Sequence, residues 1–303
     1  MPGLQARIVL RWQVPKRGYD VASGEVTGEE YEGFRAFLAE SCGIVLGENK
    51  QYLLTTRLRP VLEEFGFASL HDLLEHLRHG VGLGLRERVV DAMTTNETYW
   101  FRDGHPFDIL ATTLLPELQQ RRCTMPRIWS AACSSGQETY SISIVVQDYL
   151  RARPHAFPGD VQVVGTDISP TMLEKARAGV YYKSELLRGL PAELRERHFR
   201  RHSGGWEVAP RVRARVRFLD FNLLKPYTLL GRFDVIFCRN VLIYFSSESR
   251  RDILDRMAKV LVPGGYLILG ASESLSGHSS KFQMARVGGG ILYRLRESPH
   301  PRG

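Results

Sequence analysis

From Arg127 onward the chain alternates short apolar runs with helical ones, and nothing else in it constrains the fold as strongly. RIWSAAC (127–133), VQVVGTD (161–167), RVRFLDFNLL (215–224), FDVIFCRN (233–240) and GYLILGAS (265–272) have the length and the β-branched and aromatic content of strands buried on both faces. Between them, TYSISIVVQDYL (139–150) reads as a helix, and SPTMLEKARAG (169–179) as another with Ser169 as its cap and Pro170 in its first turn. The end, FQMARV-GGG-ILYRLR, reads as an antiparallel hairpin. The pattern predicts an α/β fold: a doubly wound, mainly parallel sheet with antiparallel pairing at one edge. A stretch from about Tyr181 to Val216 is not required by the alternation. Its first half (SELLRGLPAELRERHF) is helical in pattern, and its second (WEVAPRVRARVRF, after Gly204-Gly205) alternates. It is expected to be an inserted lobe ending in a small sheet.

The first third is different. Residues 1–26 hold four basic residues with scattered Gly and Pro and no sustained period, so a flexible extension is expected, though Ile8 to Val14 could add a strand or short helix. Thr27-Gly-Glu-Glu30 is a capping box, followed by Tyr31, Phe34, Phe37 and Leu38 at helical spacing and closed by Cys42-Gly43. A second helix is predicted from about Asn49 to Phe65, with Pro60 kinking or restarting it and Lys50, Arg57 and Arg59 on its polar side. Ser69 caps a third, and a fourth runs from about Leu85 to Met93. The expected division is therefore an extension (1–26), an all-helical domain (27–94) and an α/β domain (95–303).

Composition narrows the function classes. With 43% hydrophobic and 24% charged residues, the 303-residue chain is ordinary globular material for about two domains. No run approaches the ~18 apolar residues of a membrane span, and the N-terminus is too poor for a signal peptide. Cys42, Cys123, Cys133 and Cys238 are far apart without a CxxC, so reduced thiols in the cytoplasm and no metal are expected. The net charge of +8 calls for an acidic partner: nucleic acid, a membrane surface or an acidic protein.

In an open α/β sheet the ligand lies beyond the carboxyl ends of the strands. Ala131–Glu138 (AACSSGQE) falls there, a degenerate glycine loop whose small residues would let backbone amides approach a ligand at a helix N-terminus. Asp167 ends the second strand one β–α–β unit later, where an acid accepts ribose hydroxyls or, alternatively, serves the helix that starts at Ser169. Cys238-Arg239-Asn240 leaves a third strand tip. These features suit a nicotinamide dehydrogenase or an S-adenosylmethionine (SAM) methyltransferase. GxGxxG is absent, and Pro263-Gly264-Gly265-Tyr266 with the terminal hairpin fits the methyltransferase sheet better.

Several stretches then resemble one family. Met93–Arg102 (MTTNETYWFR), Ser130–Ser141 (SAACSSGQETYS), Asp167 with LEKARAGVY after it, Asn222-Leu223-Leu224 and Cys238–Phe245 (CRNVLIYF) are similar to the signatures of the chemotaxis receptor glutamate methyltransferases, the CheR family. The resemblance covers about residues 27–296 and departs at Gln137-Glu138-Thr139, where the family often has Glu-Glu-Pro. It implies a class I SAM-dependent methyltransferase fold, SAM as cofactor with S-adenosylhomocysteine (SAH) as product, and no metal. It further implies that Asn96, Thr98, Arg102, Glu138, Asp167, Asn222, Leu223, Arg239 and Asn240 line the cofactor pocket. Asp167 would take the ribose hydroxyls, Glu138 the amino group, and Asn222 with Leu223 the adenine. Arg102 and Tyr244 are the candidates to orient the substrate carboxylate. The plain alternatives are a core aromatic for Tyr244 and, for Arg102, a surface ion pair with Asp103 or Glu97.

The implied partner is the acidic helical cytoplasmic part of a chemotaxis receptor, met by a monomeric enzyme without membrane insertion. Two basic surfaces could dock it: Lys50, Arg57 and Arg59, or Arg211, Arg213, Arg215 and Arg217, which would share one face if the segment were a strand. Edge-strand protection is the plainer use of the latter. Nucleic acid competes for the charge, but no Asn-Pro-Pro-Tyr element is present and the basic residues show little aromatic interleaving. A nucleic-acid or small-molecule methyltransferase and a non-catalytic SAM-binding module are the other two readings.

Overall fold

The computed structural model describes residues 26–80 and 83–296, so the expectations placed on residues 1–25 lie outside it. The chain forms two compact units: residues 26–34 with 48–93, and residues 35–47 with 94–296. The division falls inside the first helix, α1 (Gly28–Cys42).

In the first unit the Thr27 capping box is present. The Glu30 N–H donates to Thr27 Oγ1 at 3.2 Å, and Glu30 accepts the Thr27 N–H at 2.8 Å. α2 (Gln51–Phe65), α3 (Leu70–Arg78) and α4 (Leu83–Met93) follow. Ser69 caps α3 through the Asp72 N–H at 3.1 Å. Pro60 neither ends nor restarts α2, which continues through it with Leu54, Leu58, Val61 and Leu62 buried. The burial of that stripe outweighs the missing N–H, and Pro60 itself is exposed.

The basic face of α2 is not three free charges. Arg57 turns inward and donates to Met93 O at 2.7 Å, Arg59 pairs with Glu63 at 3.1 Å, and Lys50 lies 5.7 Å from the Tyr52 ring centre.

In the second unit the strands are β1 (Arg127–Ala131), β2 (Gln162–Asp167), β3 (Val180–Tyr181), β4 (Phe199–His202), β5 (Gly205–Val208), β6 (Val216–Asp220), β7 (Phe233–Cys238), β8 (Leu261–Leu269), β9 (Phe282–Val287) and β10 (Gly290–Leu295). Seven of them form one sheet in the order β6-β2-β1-β7-β8-β10-β9, parallel through β8 and antiparallel at the hairpin. Alternation sorts the side chains. Ile128, Val163, Val235, Phe237 and Ile268 face α5 (His105–Ile109), the π-helical turn and α6 (Leu115–Gln120) that continue it, and α7 (Gln137–Ala152). Trp129, Val164, Ile236, Leu267 and Leu269 share the other core with Ile253, Leu254 and Met257, which belong to the last helix, Ser247–Val260. The chain runs outward through β1, β2 and β6, then returns to β7 beside β1. The β1–β7 boundary is thus the switch point, where a crevice opens beyond the strand ends.

α8 (Pro170–Ala178) starts at Ser169 as expected. The inserted lobe is a three-stranded sheet, β3-β5-β4, with the helices α9 (Lys183–Leu186) and α10 (Ala192–His198) between β3 and β4 in sequence. The predicted arginine stripe does not form. Ala209-Pro210 breaks the alternating run, so Arg211 and Arg213 sit on a helical turn, α11 (Pro210–Arg213), and only Arg217 is on a strand. Arg213 pairs with Glu207 at 2.6 Å, and the nearly buried Arg215 binds Asp160 and Gln147. Among the described residues no helix is long and apolar enough to cross a membrane.

Candidate active site

Register aligns the strand tips: Ala131 lies opposite both Thr166 and Cys238, Cys238 opposite Leu269, and Asp167 opposite Asp220. The loop after β1 turns sharply, with positive φ at Ala132 (56°), Ser134 (50°) and Gly136 (92°). Gly136 admits no side chain, because a Cβ there would meet Ala176 Cβ at 2.9 Å. Three amides of this loop are bonded inside the protein. Cys133 N–H donates to Thr166 O at 2.9 Å, Ser134 N–H to Asp167 Oδ2 at 2.7 Å, and Gly136 N–H to Cys133 O at 3.0 Å.

Asp167 is buried at the end of β2 and also accepts the Ser169 N–H at 2.9 Å, so it ties β1's loop to the start of α8. Glu138, in the first turn of α7, accepts from Ser130 Oγ and from Arg239 Nη1, each at 2.8 Å. Arg239 is the centre of the cluster. Its side chain is 1% exposed, it pairs with Glu138 and with Asp103 (2.6 Å), and it donates to Arg102 O at 2.8 Å. Two carboxylates pair with the two terminal nitrogens of one desolvated guanidinium, whose Nε has no partner among the described residues, and their geometry fixes the segment around residue 102 at the tip of β7.

That pairing decides the alternatives for Arg102. Asp103 belongs to Arg239, and Glu97 belongs to Arg188 at 2.9 Å. Arg102 is left with one hydrogen bond, to Glu97 O at 3.3 Å, and a Tyr99 ring 5.4 Å away; among the described residues it has no carboxylate partner. Tyr244 is half-buried on a 3-10 turn (Leu242–Tyr244) after β7. Its backbone oxygen accepts the Val45 N–H at 2.9 Å, and its hydroxyl has no hydrogen-bond partner among the described residues.

Asn96 O accepts from Ser134 Oγ at 2.9 Å, which brings the 94–98 segment to the β1 loop. Thr98 is half-buried in that same segment. Asn222 closes an Asx turn on Leu224 N–H (2.9 Å) and donates to Ser41 O (2.8 Å), so its side-chain amide is engaged on both atoms. Leu223 is buried in the sheet core.

Sequence reasoning missed two residues. Asp103 followed the matched signature without any sign of its partner, and Glu273 lies beyond β8, where only a turn was expected. Glu273 accepts four backbone N–H bonds, from Asn240 (2.7 Å), Val241 (3.0 Å), Leu242 (2.8 Å) and Gly270 (2.8 Å). Burial, with Asp167 next for one and Glu273 for the other, holds the thiols of Cys133 and Cys238 protonated well above the usual range. Neither is a nucleophile at neutral pH.

A family model for the CheR methyltransferase SAM-binding domain matches residues 96–290, and one for the CheR methyltransferase all-alpha domain matches residues 29–94. The chain belongs to the CheR methyltransferase family. It is 47% identical over 269 residues to the chemotaxis protein methyltransferase Cher2 of Pseudomonas putida, covering 88% of this chain and 98% of that protein. To chemotaxis protein methyltransferase 1 of Pseudomonas aeruginosa it is 49% identical with the same coverage. To the chemotaxis protein methyltransferase of Escherichia coli it is 37% identical over 250 residues, 81% of this chain and 84% of that protein. CheR methyltransferases use SAM, and the site's donor set fits that group. SAM brings cationic and hydroxyl donors, and the strand tips offer acceptors: Glu138, Asp167 and a buried Asn240 Oδ1 that has no hydrogen-bond partner among the described residues.

Proposed function

We propose that this CheR-family chain methylates glutamate side chains on the acidic cytoplasmic helices of chemotaxis receptors, giving glutamate methyl esters. A glutamate has a reference pKa of about 4.3, so the nucleophile is already a carboxylate at neutral pH and no general base is needed. SAM, when bound, supplies a methyl group on a sulfonium with a neutral leaving group. Glu138, Asp167 and Asn240 would hold it through its amino and hydroxyl donors, with Asn96, Thr98, Arg239 and the Asn222-Leu223 segment completing the pocket.

The remaining task is alignment and exclusion of water. Arg102 holds one oxygen of the substrate carboxylate while the other attacks, and the Tyr244 hydroxyl fixes the approach. A single observation carries this reading. Arg239 takes both nearby carboxylates, so Arg102 keeps a cation free for an acidic substrate. The net charge of +8 favours the encounter with an acidic helical surface.

Labelled SAM incubated with a receptor cytoplasmic fragment tests it. Methyl label released as methanol by mild alkali is expected, as for a carboxyl ester. Alkali-stable label, or SAM binding without transfer, contradicts it.

A further inference from the structure

The tip of β7 is held from behind by one side chain. All four N–H groups that Glu273 accepts belong to two neighbouring strand ends: Asn240, Val241 and Leu242 after β7, which borders the crevice, and Gly270 after β8. Asn240 adopts φ 58°, a left-handed conformation that disfavours a residue with a Cβ and that asparagine enters more readily than most. Its Oδ1 is buried and without a hydrogen-bond partner among the described residues. Gly270 completes the cradle, because a Cβ there would lie 2.9 Å from both N and Nδ2 of Asn240 and 2.8 Å from Glu273 Oε2. An aligned carboxylate, a left-handed asparagine and an obligatory glycine surround one unsatisfied acceptor.

We infer that Glu273 is a positioning residue for the methyl-transfer site. It imposes the left-handed turn at Asn240 and so pre-aims the Asn240 side-chain oxygen at a donor of the cofactor. The inference rests on the reading of Asn240 as a cofactor contact. It assigns Glu273 no contact with SAM or substrate.

Glu273→Gln keeps the length of the side chain but replaces one of its two accepting oxygens by an NH₂ that faces N–H groups. The test is SAH affinity of the full chain by titration calorimetry for wild type, Glu273→Gln, Gly270→Ala, Asn240→Ala and the Glu273→Gln/Asn240→Ala pair. KM for a receptor fragment and the denaturation midpoint are measured alongside. Glu273→Gln is expected to weaken SAH binding about tenfold or more while receptor KM stays within about twofold, and the pair to bind no more than about twofold weaker than the weaker single variant. Gly270→Ala crowds the same asparagine from the other side with the carboxylate intact, and is expected to show the same loss even if Glu273→Gln does not fold. Unchanged SAH affinity in folded Glu273→Gln or in Gly270→Ala, or losses that multiply in the pair, overturns the inference. So does normal SAH binding by Asn240→Ala, which would remove Asn240 from the cofactor pocket while the alkali test of the methyl ester stands apart.

Discussion

Arginine does opposite things at the strand tips and in the inserted lobe. Arg239, 1% exposed, binds two carboxylates and a backbone oxygen and stacks 5.8 Å from the Phe107 ring centre. In the lobe, Arg195 and Arg201 flank Trp206 at 5.0 and 4.8 Å, and Arg200 and Arg201 remain exposed without a carboxylate partner among the described residues. A desolvated cation is tolerated only when carboxylates balance its charge, so it organises its surroundings. A solvated one keeps its stem on an aromatic ring and organises little. The tip cluster is therefore architecture, and Arg102, without a carboxylate partner among the described residues, is the cation proposed to meet a substrate.

The largest expected effect breaks the tip cluster. Arg239→Met leaves Glu138 and Asp103 without their shared cation and should cost about 3–5 kcal/mol of stability, read from urea denaturation. A loss below about 1 kcal/mol would equate Arg239 with a lobe arginine. Next comes Asp167→Ala, expected to weaken SAM binding about 10–100-fold by calorimetry, as one charge-assisted contact is worth about 1.5–3 kcal/mol. Unchanged affinity would return Asp167 to a structural role through its bonds to Ser134 and Ser169.

A smaller effect sharpens the lobe side. His198 is buried against Asp148, and burial, only partly offset by that carboxylate, pulls its pKa below the ordinary value. Arg197 and Arg211 oppose its charging as well. The unfolded chain then binds the proton first. Stability is complete above about pH 6.5 and falls as the pH drops through that value toward the folded pKa, by at most about 1.4 kcal/mol per unit. His198→Gln should flatten the slope of the denaturation midpoint just below about pH 6.5. The smallest effect is that of Arg201→Gln, which should leave both midpoint and SAM affinity within experimental scatter.

The fold was largely legible because burial writes itself into spacing. The strand runs, the Thr27 and Ser69 caps, the hairpin and the inserted lobe all follow from local pattern. Misreadings arose where one residue overrode a pattern or a partner was distant in sequence. Pro210 turned an alternating arginine run into a helical corner, whereas Pro60 stayed inside α2 because the buried leucines on its other face hold the helix. The candidate site was legible as residue types, but the pairing was not. Asp103 and Arg239 stand 136 positions apart and Asn240 and Glu273 33 apart, so no local signal assigns the acids to their partners.

The central claim is that Arg102 serves the substrate carboxylate because Arg239 has taken the local acids. Arg102→Ala, assayed in single turnover with a receptor cytoplasmic fragment and in parallel for SAH affinity, tests it most directly. Methyl transfer is expected to fall by about 100-fold or more with SAH affinity within about threefold of wild type. Transfer at the wild-type rate, or SAH affinity that collapses in step with it, would contradict the claim.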